Sequence, residues 1–166
     1  MRGMRRRLYV GQISVSNAHC PASNNVEMFV TRRAEFSASH VCRVESLTDQ
    51  ENEHLYGEGA NRNGHGHNYV VEVSVEGEPD PVTGMVIDLK DLKTILEQEV
   101  VAPMDHRFLN YEVPPFDRVI PTAENVAREI WRRVEPRIAS RGVTLSKVRL
   151  FETSDLYVDV LRGGAA

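Results

Sequence analysis

Two histidines separated by one residue stand in the stretch GEGANRNGHGHNY, which spans residues 57–69. In a β-strand, residues i and i+2 point the same way about 6.6 Å apart, so His65 and His67 could bind one ion. A third imidazole, that of His40, lies at the end of an earlier extended segment. Three neutral histidines with an open fourth position are typical of catalytic zinc. The same spacing also fits ordinary strand histidines whose ring nitrogens bond to the backbone, and the pattern alone leaves both interpretations open.

Two other stretches carry groups that could act on a bound molecule. MDHRFLN contains the adjacent Asp105 and His106, which could share a proton-transfer role if they meet a third group. FETSD places Glu152 after an apolar run, where a carboxylate could pair with a nitrogen-rich ring. From the residues alone, a polar loop is the better interpretation of the first stretch, and a surface position is the better interpretation of the second.

Alternating apolar and polar residues predict the strands that must carry the histidines. EMFVTRRAEFSASH, at residues 27–40, puts its final histidine on its apolar face. HGHNYVVEVSVEGE, at residues 65–78, does the same with both of its histidines. Phe29 and Arg32 break the alternation of the first strand, which predicts a β-bulge near them.

The rest of the chain supplies helices and two further strands. LTDQENEHLY is compatible with a short helix. Asp88 is placed to cap a helix that Pro103 ends, and a second helix begins at Thr122. LSKVRLFET and LYVDVL predict the last two strands. The order of the long elements is strand, strand, helix, helix, strand, strand, which predicts an α+β fold with an antiparallel sheet and its helices on one face.

The composition is that of a single globular domain: the chain has 166 residues, of which 41% are hydrophobic and 27% charged. A net charge of −4 argues against a nucleic-acid partner, because phosphate binding needs a basic surface. No apolar stretch approaches the roughly 20 residues that span a bilayer, and the N-terminus lacks the apolar core of a secretory signal. We therefore expect a cytoplasmic protein with no membrane partner, in which Cys20 and Cys42 are free thiols.

Six blocks occur in a diagnostic order: FSASH, NGHGHNY, DPVTGMVIDLKDLK, MDHRFLN, PTAENVA and FETSD. Together they resemble the 6-pyruvoyl-tetrahydropterin synthase family over Phe36 to Val160. The resemblance implies the tunnelling fold, a four-stranded antiparallel sheet with two helices on one face. It also implies assembly through sheet edges into an oligomeric barrel and a homo-hexamer, a dimer of trimers, with the pocket between subunits. Residues 1–26 would be an N-terminal extension, and residues 27–166 the synthase-like domain.

The resemblance implies that His40, His65 and His67 are zinc ligands. The reaction it implies starts from 7,8-dihydroneopterin triphosphate. Zinc would hold the side-chain hydroxyls and lower their pKa, a base would move protons between side-chain carbons, and triphosphate would leave by elimination.

The other implied roles concern the pterin and the proton transfers. Glu152, with Thr153 beside it, corresponds to the glutamate that anchors the pterin ring. Thr122 falls in the block that lines the pterin pocket. Asp105 and His106 correspond to two members of the family's catalytic triad.

One position departs from the family pattern. The third triad member is a cysteine six residues before His65, and this chain has Gly59 there. The base could instead be Glu58, since some relatives carry a glutamate and form 6-hydroxymethyl-dihydropterin, a folate precursor. It could be the thiol of Cys42, although a buried hydrophobic role fits that residue better. It could be a metal-activated water assisted by the Asp-His pair, or the chain could bind a pterin without processing it.

We therefore expect a zinc-dependent pterin lyase of the tetrahydrobiopterin type. The second candidate is a 6-carboxy-tetrahydropterin synthase of queuosine biosynthesis, which the longer loop before HGH disfavours. The candidate from another class is a catalytically silent pterin-binding protein, which the glycine at position 59 motivates.

Overall fold

A computed structural model of the chain describes residues 27–163. The expectations for the N-terminal extension at residues 1–26, including Cys20, lie outside the described residues. The described part is an α+β fold built on one five-stranded sheet with the strand order β3-β1-β2-β4-β5. No helix in residues 27–163 is both long enough and apolar enough to cross a membrane.

The strands are β1 (Phe29–His40), β2 (His65–Glu76), β3 (Arg107–Phe108), β4 (Thr144–Phe151) and β5 (Tyr157–Leu161). The helices are α1 (Asp49–Tyr56), α2 (Leu89–Leu96), α3 (Ala102–Met104), α4 (Leu109–Glu112) and α5 (Ala123–Ala139). The four long strands are antiparallel, as predicted. The two-residue strand β3 is an addition to the prediction, and it runs parallel to β1 along the edge that β2 does not occupy.

The pairing of β1 with β2 is regular along its whole length. It runs from Phe29 opposite Glu76 to His40 opposite His65 without a shift. The bulge expected near Arg32 is therefore wrong. Arg32 lies half-buried on the inward face, where a long aliphatic stem can pack while its guanidinium reaches water, so no change of register is needed. The irregularity lies instead between β2 and β4, where Ser74 pairs with Lys147 and Val75 with Leu145, so that Ser146 of β4 is the extra residue.

One face of the sheet forms the core with α2 and α5. Its inward-facing residues include Phe36 on β1, Val71 and Val73 on β2, and Leu150 on β4, all buried in a single apolar cluster. The largest fully buried side chains of this cluster include Tyr69, Leu92, Leu96, Met104, Leu109 and Ile130. This burial fixes which face of each strand points inward, and so it fixes the direction of the histidines as well.

The first long helical segment begins as predicted and ends one residue later than predicted. The Asp88 carboxylate accepts the backbone N–H of Lys90 at 2.8 Å and caps α2. Helical backbone continues through a π-helical turn at Glu97–Val101 into α3, which includes Pro103 and ends at Met104. Proline is tolerated there because its missing N–H falls in the first turn of α3.

A buried asparagine holds the loop that leaves the histidine end of β1. The Oδ1 of Asn52, on α1, accepts the backbone N–H of Val44 at 2.7 Å. Its amide nitrogen donates to the carbonyls of Val44, Leu47 and Thr48 at 3.0 to 3.1 Å. Asn52 is fully buried, so it replaces water for four backbone groups of residues 44–48.

We predict that Asn52→Ala lowers the free energy of unfolding by about 2 kcal/mol, because it leaves buried backbone groups of the loop without partners. Urea denaturation followed by circular dichroism measures the change. Glu53→Ala is the matched control, because Glu53 is exposed on the same helix, and it should shift stability by less than about 0.5 kcal/mol. Equal stabilities for the two variants would contradict this role for Asn52.

Candidate active site

Three histidines meet at one end of the sheet. His40 ends β1 and lies directly opposite His65, the first residue of β2, while His67 follows two residues later on the same face. One ligand nitrogen from each ring lies within 4.8 Å of the others. The ring centroids are 4.4 Å apart for His40 and His65, 4.8 Å for His65 and His67, and 5.2 Å for His40 and His67. The three histidines of the sequence prediction are thus brought together.

The environment keeps His40 neutral and fixes its orientation. Its Nδ1 lies 2.7 Å from the carbonyl oxygen of Pro121, which can only accept, so Nδ1 carries the proton and Nε2 carries the lone pair. Burial lowers the pKa of His40 to about 4, against the opposing effect of this hydrogen bond. Burial also lowers the pKa of His67. Neutral imidazoles are the form that binds a metal ion.

Two ring nitrogens of the cluster are buried without a hydrogen-bond partner among the described residues: Nδ1 of His65 and Nε2 of His67. A buried polar atom without a partner is costly, and native proteins rarely keep one without a reason. Three imidazoles within a few ångströms of each other fit a divalent transition metal ion, which would use these lone pairs. The three histidines could therefore hold a metal ion.

A carboxylate and a phenol lie beside the cluster. The Glu152 Oε1 atom, just beyond β4, is 3.5 Å from Nε2 of His40 and 3.7 Å from Nε2 of His67. Its side chain is 14% exposed, so it is a largely buried acid and not the surface group that the sequence alone favours. The Tyr69 hydroxyl lies 3.3 Å from Nε2 of His40 and 3.4 Å from Glu152 Oε1.

The hydroxyl groups of the two threonines predicted to bind the pterin form hydrogen bonds with residues close to them in sequence. Thr122 caps α5, with its Oγ1 accepting the N–H of Asn125 at 3.4 Å. Thr153 is exposed, and its hydroxyl donates to Asp155 at 2.7 Å and accepts the N–H of Leu156 at 3.1 Å. No hydrogen bond recorded among residues 27–163 joins either threonine hydroxyl to the histidines.

Asp105 and His106 pair with each other just before β3, at the edge of the sheet, where His106 lines a surface pocket together with His67. Asp105 Oδ1 accepts the backbone N–H of Ser37 at 2.8 Å, and its Oδ2 lies 2.7 Å from His106 Nδ1. Hydrogen bonds from Ser37 and then from His106 lower the pKa of Asp105. The His106 side chain is 83% exposed, and its φ of 57° is a left-handed conformation, which is uncommon for residues other than glycine. Within the described part of the chain, no hydrogen bond or ion pair connects this pair to the three histidines.

Gly59 faces the cluster. A Cβ atom at this position would lie 3.7 Å from Cε1 of His65 and 3.8 Å from Cβ of Cys42, which are ordinary van der Waals distances. The backbone carbonyl of Gly59 also accepts the N–H of Cys42 at 2.8 Å. The structure therefore accommodates a β-carbon beside His65 without a clash.

Of the two residues considered as replacement bases, Glu58 is exposed and Cys42 is buried. Glu58 is exposed and lines a surface groove with Arg43 and Asp49, so the structure does not bring it to the histidines. Cys42 is buried, with Sγ 3.9 Å from Nδ1 of His40, on the side of that ring remote from its lone pair. Burial, followed by nearby acids, raises the pKa of Cys42 to about 11, so its thiol is protonated at neutral pH.

Sequence reasoning assigned no role to Tyr69, to the Pro121 carbonyl or to Asn110. Asn110 accepts the N–H of Val41 at 2.9 Å and donates to its carbonyl at 3.0 Å, fixing the backbone just past His40. Only Tyr69 had a readable signal. It continues the period-two pattern of the two histidines before it, on the same strand face.

The chain was compared with known proteins. The family model described as 6-pyruvoyl tetrahydropterin synthase matches residues 29–162. The 6-pyruvoyl tetrahydrobiopterin synthase of Homo sapiens is 48% identical over 129 residues, covering 78% of this chain and 88% of that protein. A putative 6-carboxy-5,6,7,8-tetrahydropterin synthase of Archaeoglobus fulgidus is 38% identical over 92 residues, covering 55% and 70%.

A solved structure agrees in fold. The 6-pyruvoyl tetrahydropterin synthase of Caenorhabditis elegans superposes with a TM-score of 0.77 at 36% sequence identity, covering 83% of this chain and 97% of that one. The sheet and helices described above are therefore those of the tunnelling fold. The match spans both strands that carry the histidines and the residues that follow β4, and this chain belongs to the 6-pyruvoyl tetrahydropterin synthase family.

Proposed function

We propose that the protein is a zinc-dependent pterin lyase that eliminates triphosphate from 7,8-dihydroneopterin triphosphate. The observation that carries the proposal is the set of three converging imidazoles, of which His40 is buried and the other two have buried nitrogens without partners, beside the carboxylate of Glu152. The family membership supports the reaction type, because the human relative is named a 6-pyruvoyl tetrahydrobiopterin synthase.

Zinc is the metal that this donor set favours. Within residues 27–163 the group consists of three histidines alone, and three histidine nitrogens are the ligands of catalytic zinc sites that keep a position open. His40, His65 and His67 would hold the ion. When bound, zinc supplies Lewis acidity that lowers the pKa of hydroxyl groups on the substrate side chain.

Glu152 is the residue that we expect to bind the pterin ring. An ionised carboxylate accepts hydrogen bonds from the N–H groups along one edge of an aminopyrimidine ring, and charge makes these bonds strong. Its side chain is 14% exposed, so part of it remains reachable from solvent. Thr122 and Thr153 would act by shaping the backbone around the ring, since their hydroxyls already have local partners.

Asp105 and His106 support a site that is shared between subunits. The pair lies at the edge of the sheet that carries β3, with the imidazole exposed and the carboxylate fixed by the β1 backbone. We propose that it completes the site of a neighbouring subunit in a homo-hexamer, where the imidazole would carry protons with the carboxylate holding its tautomer.

None of the three positions considered for the base supplies a group that could remove a proton from the substrate side chain. Gly59 has no titratable group, Glu58 points to a surface groove, and the Cys42 thiol is buried and protonated. A water molecule would serve as proton acceptor if the Asp-His pair of a neighbouring subunit relays the proton. Gly59 also favours a second candidate, a pterin-binding protein that does not turn over its ligand.

Incubating zinc-loaded protein with dihydroneopterin triphosphate, and identifying the pterin by mass, tests the proposal. The pyruvoyl product supports it. The carboxy product would assign the activity named for the Archaeoglobus relative, and 6-hydroxymethyl-dihydropterin would assign the folate-type reaction. Pterin binding without any product would support the second candidate, a protein that binds a pterin without turning it over.

We predict that His65→Ala weakens zinc affinity by more than about 100-fold, because changes outside the ligand set alone cost 10- to 100-fold. Competition with a chromophoric chelator measures the affinity without reference to turnover. His54→Ala removes an exposed histidine from α1 and serves as the control, with zinc affinity unchanged. Tight zinc binding by the His65 variant would contradict the proposed ligand set.

We predict that Gly59→Cys increases formation of the pyruvoyl product at least about tenfold, because a positioned proton-transfer group contributes a factor of 10² to 10⁴. The room for a Cβ beside His65 makes the substitution sterically mild. Gly59→Ser is the control of similar size without a thiol. Equal rates for wild type and both variants would show that this position does not face the reacting carbons.

Glu58→Gln should leave turnover within about twofold, because the Glu58 side chain is exposed and lies in a groove with Arg43 and Asp49. Zinc content should be unchanged. A loss comparable with that of a missing catalytic base, about 100-fold or more, would instead identify Glu58 as the base and require a rearranged loop.

A further inference from the structure

Tyr69 joins the two halves of the proposed site. Its ring is fully buried on β2 and stacks on Phe36, with centroids 5.0 Å apart. Its hydroxyl stands 3.3 Å from Nε2 of His40 and 3.4 Å from Oε1 of Glu152. A core tyrosine would need only one hydrogen-bond partner, and this one has two acceptors at nearly equal distance.

The two acceptors compete for a single proton. His40 already donates from Nδ1 to the Pro121 carbonyl, so its Nε2 can only accept. An ionised carboxylate can only accept as well, and a tyrosine hydroxyl has one proton to donate. Tyr69 can therefore satisfy either His40 or Glu152 at one moment, but not both.

We propose that Tyr69 is a positioning residue that couples metal binding to pterin binding. A metal ion bound at Nε2 of His40 removes that atom as an acceptor, and the Tyr69 proton then goes wholly to Oε1 of Glu152. The carboxylate is held in one orientation, with Oε2 left for the ligand. This inference rests on the proposed function, in which Glu152 binds the pterin.

The coupling has two consequences that a purely packing role would not produce. The hydroxyl should matter more for pterin binding when the metal is present than when it is absent. By thermodynamic linkage, pterin should then tighten metal binding by the same factor by which the metal tightens pterin binding. Replacing the hydroxyl while keeping the ring should reduce both factors together.

Tyr69→Phe tests this, because it keeps the ring that packs on Phe36 and removes only the hydroxyl. The probe is neopterin, which lacks the triphosphate leaving group, and its affinity is measured by calorimetry on zinc-loaded and metal-free protein. We expect binding about tenfold weaker in the loaded variant, the size of one hydrogen bond to a charged group, and about threefold weaker in the metal-free variant. Tyr111→Phe, which removes an exposed hydroxyl on α4, is the matched control and should change neither affinity.

Zinc affinity without neopterin provides the second measurement. We expect the Tyr69 variant to bind zinc as tightly as wild type, whereas a loss of affinity would indicate that the tyrosine merely supports the histidines and would overturn the inference. An equal loss of neopterin affinity with and without zinc, or none, would also overturn it. If wild-type protein does not bind neopterin at all, the proposed pterin site itself fails, and the role of Tyr69 fails with it.

Discussion

The pairing of His40 with His65 is the constraint on which the site depends. A shift of one residue between β1 and β2 would turn every side chain of one strand to the opposite face, so the histidines could no longer converge. The register is held by Val71 and Val73, which follow Tyr69 on the same face of β2 and pack in the core under α2 and α5. The apolar core thus determines the geometry of a polar cluster at its edge.

Without a bound ligand, the three histidines lower the stability of the fold. The His40 ring is buried, and one nitrogen of His65 and one of His67 are buried without partners among the described residues. The hydrogen bond from His40 to the Pro121 carbonyl offsets part of this cost and ties the end of β1 to the start of α5. That tie leaves Nε2 as the only lone pair of the ring, so the same contact stabilises the fold and prepares a metal ligand.

Period-two patterning was sufficient to predict the four long strands and the shared face of the three histidines, because inward direction follows from alternation alone. The contacts of Tyr69 with Glu152 were not predictable, since they join β2 to the end of β4 across 83 positions. The direction in which the Glu58 side chain points was also not predictable from the sequence. Gly57–Ala60 forms a 3-10 helix, in which successive side chains point about 120° apart, so a neighbour of Gly59 does not share its direction.

The proposed site separates into a binding half and a proton-transfer half. The histidines, Tyr69 and Glu152 are brought together within one chain, and their distances need no second subunit. The groups for proton transfer are not assembled in this way, because the Asp105–His106 pair lies at the sheet edge with its imidazole exposed, and Gly59 offers only space. Under the proposed function, metal binding should therefore survive in an isolated subunit, whereas turnover should require the assembled oligomer. The glycine at position 59 alters only the second half, so a chain that has lost part of its proton-transfer groups could still keep the whole binding site.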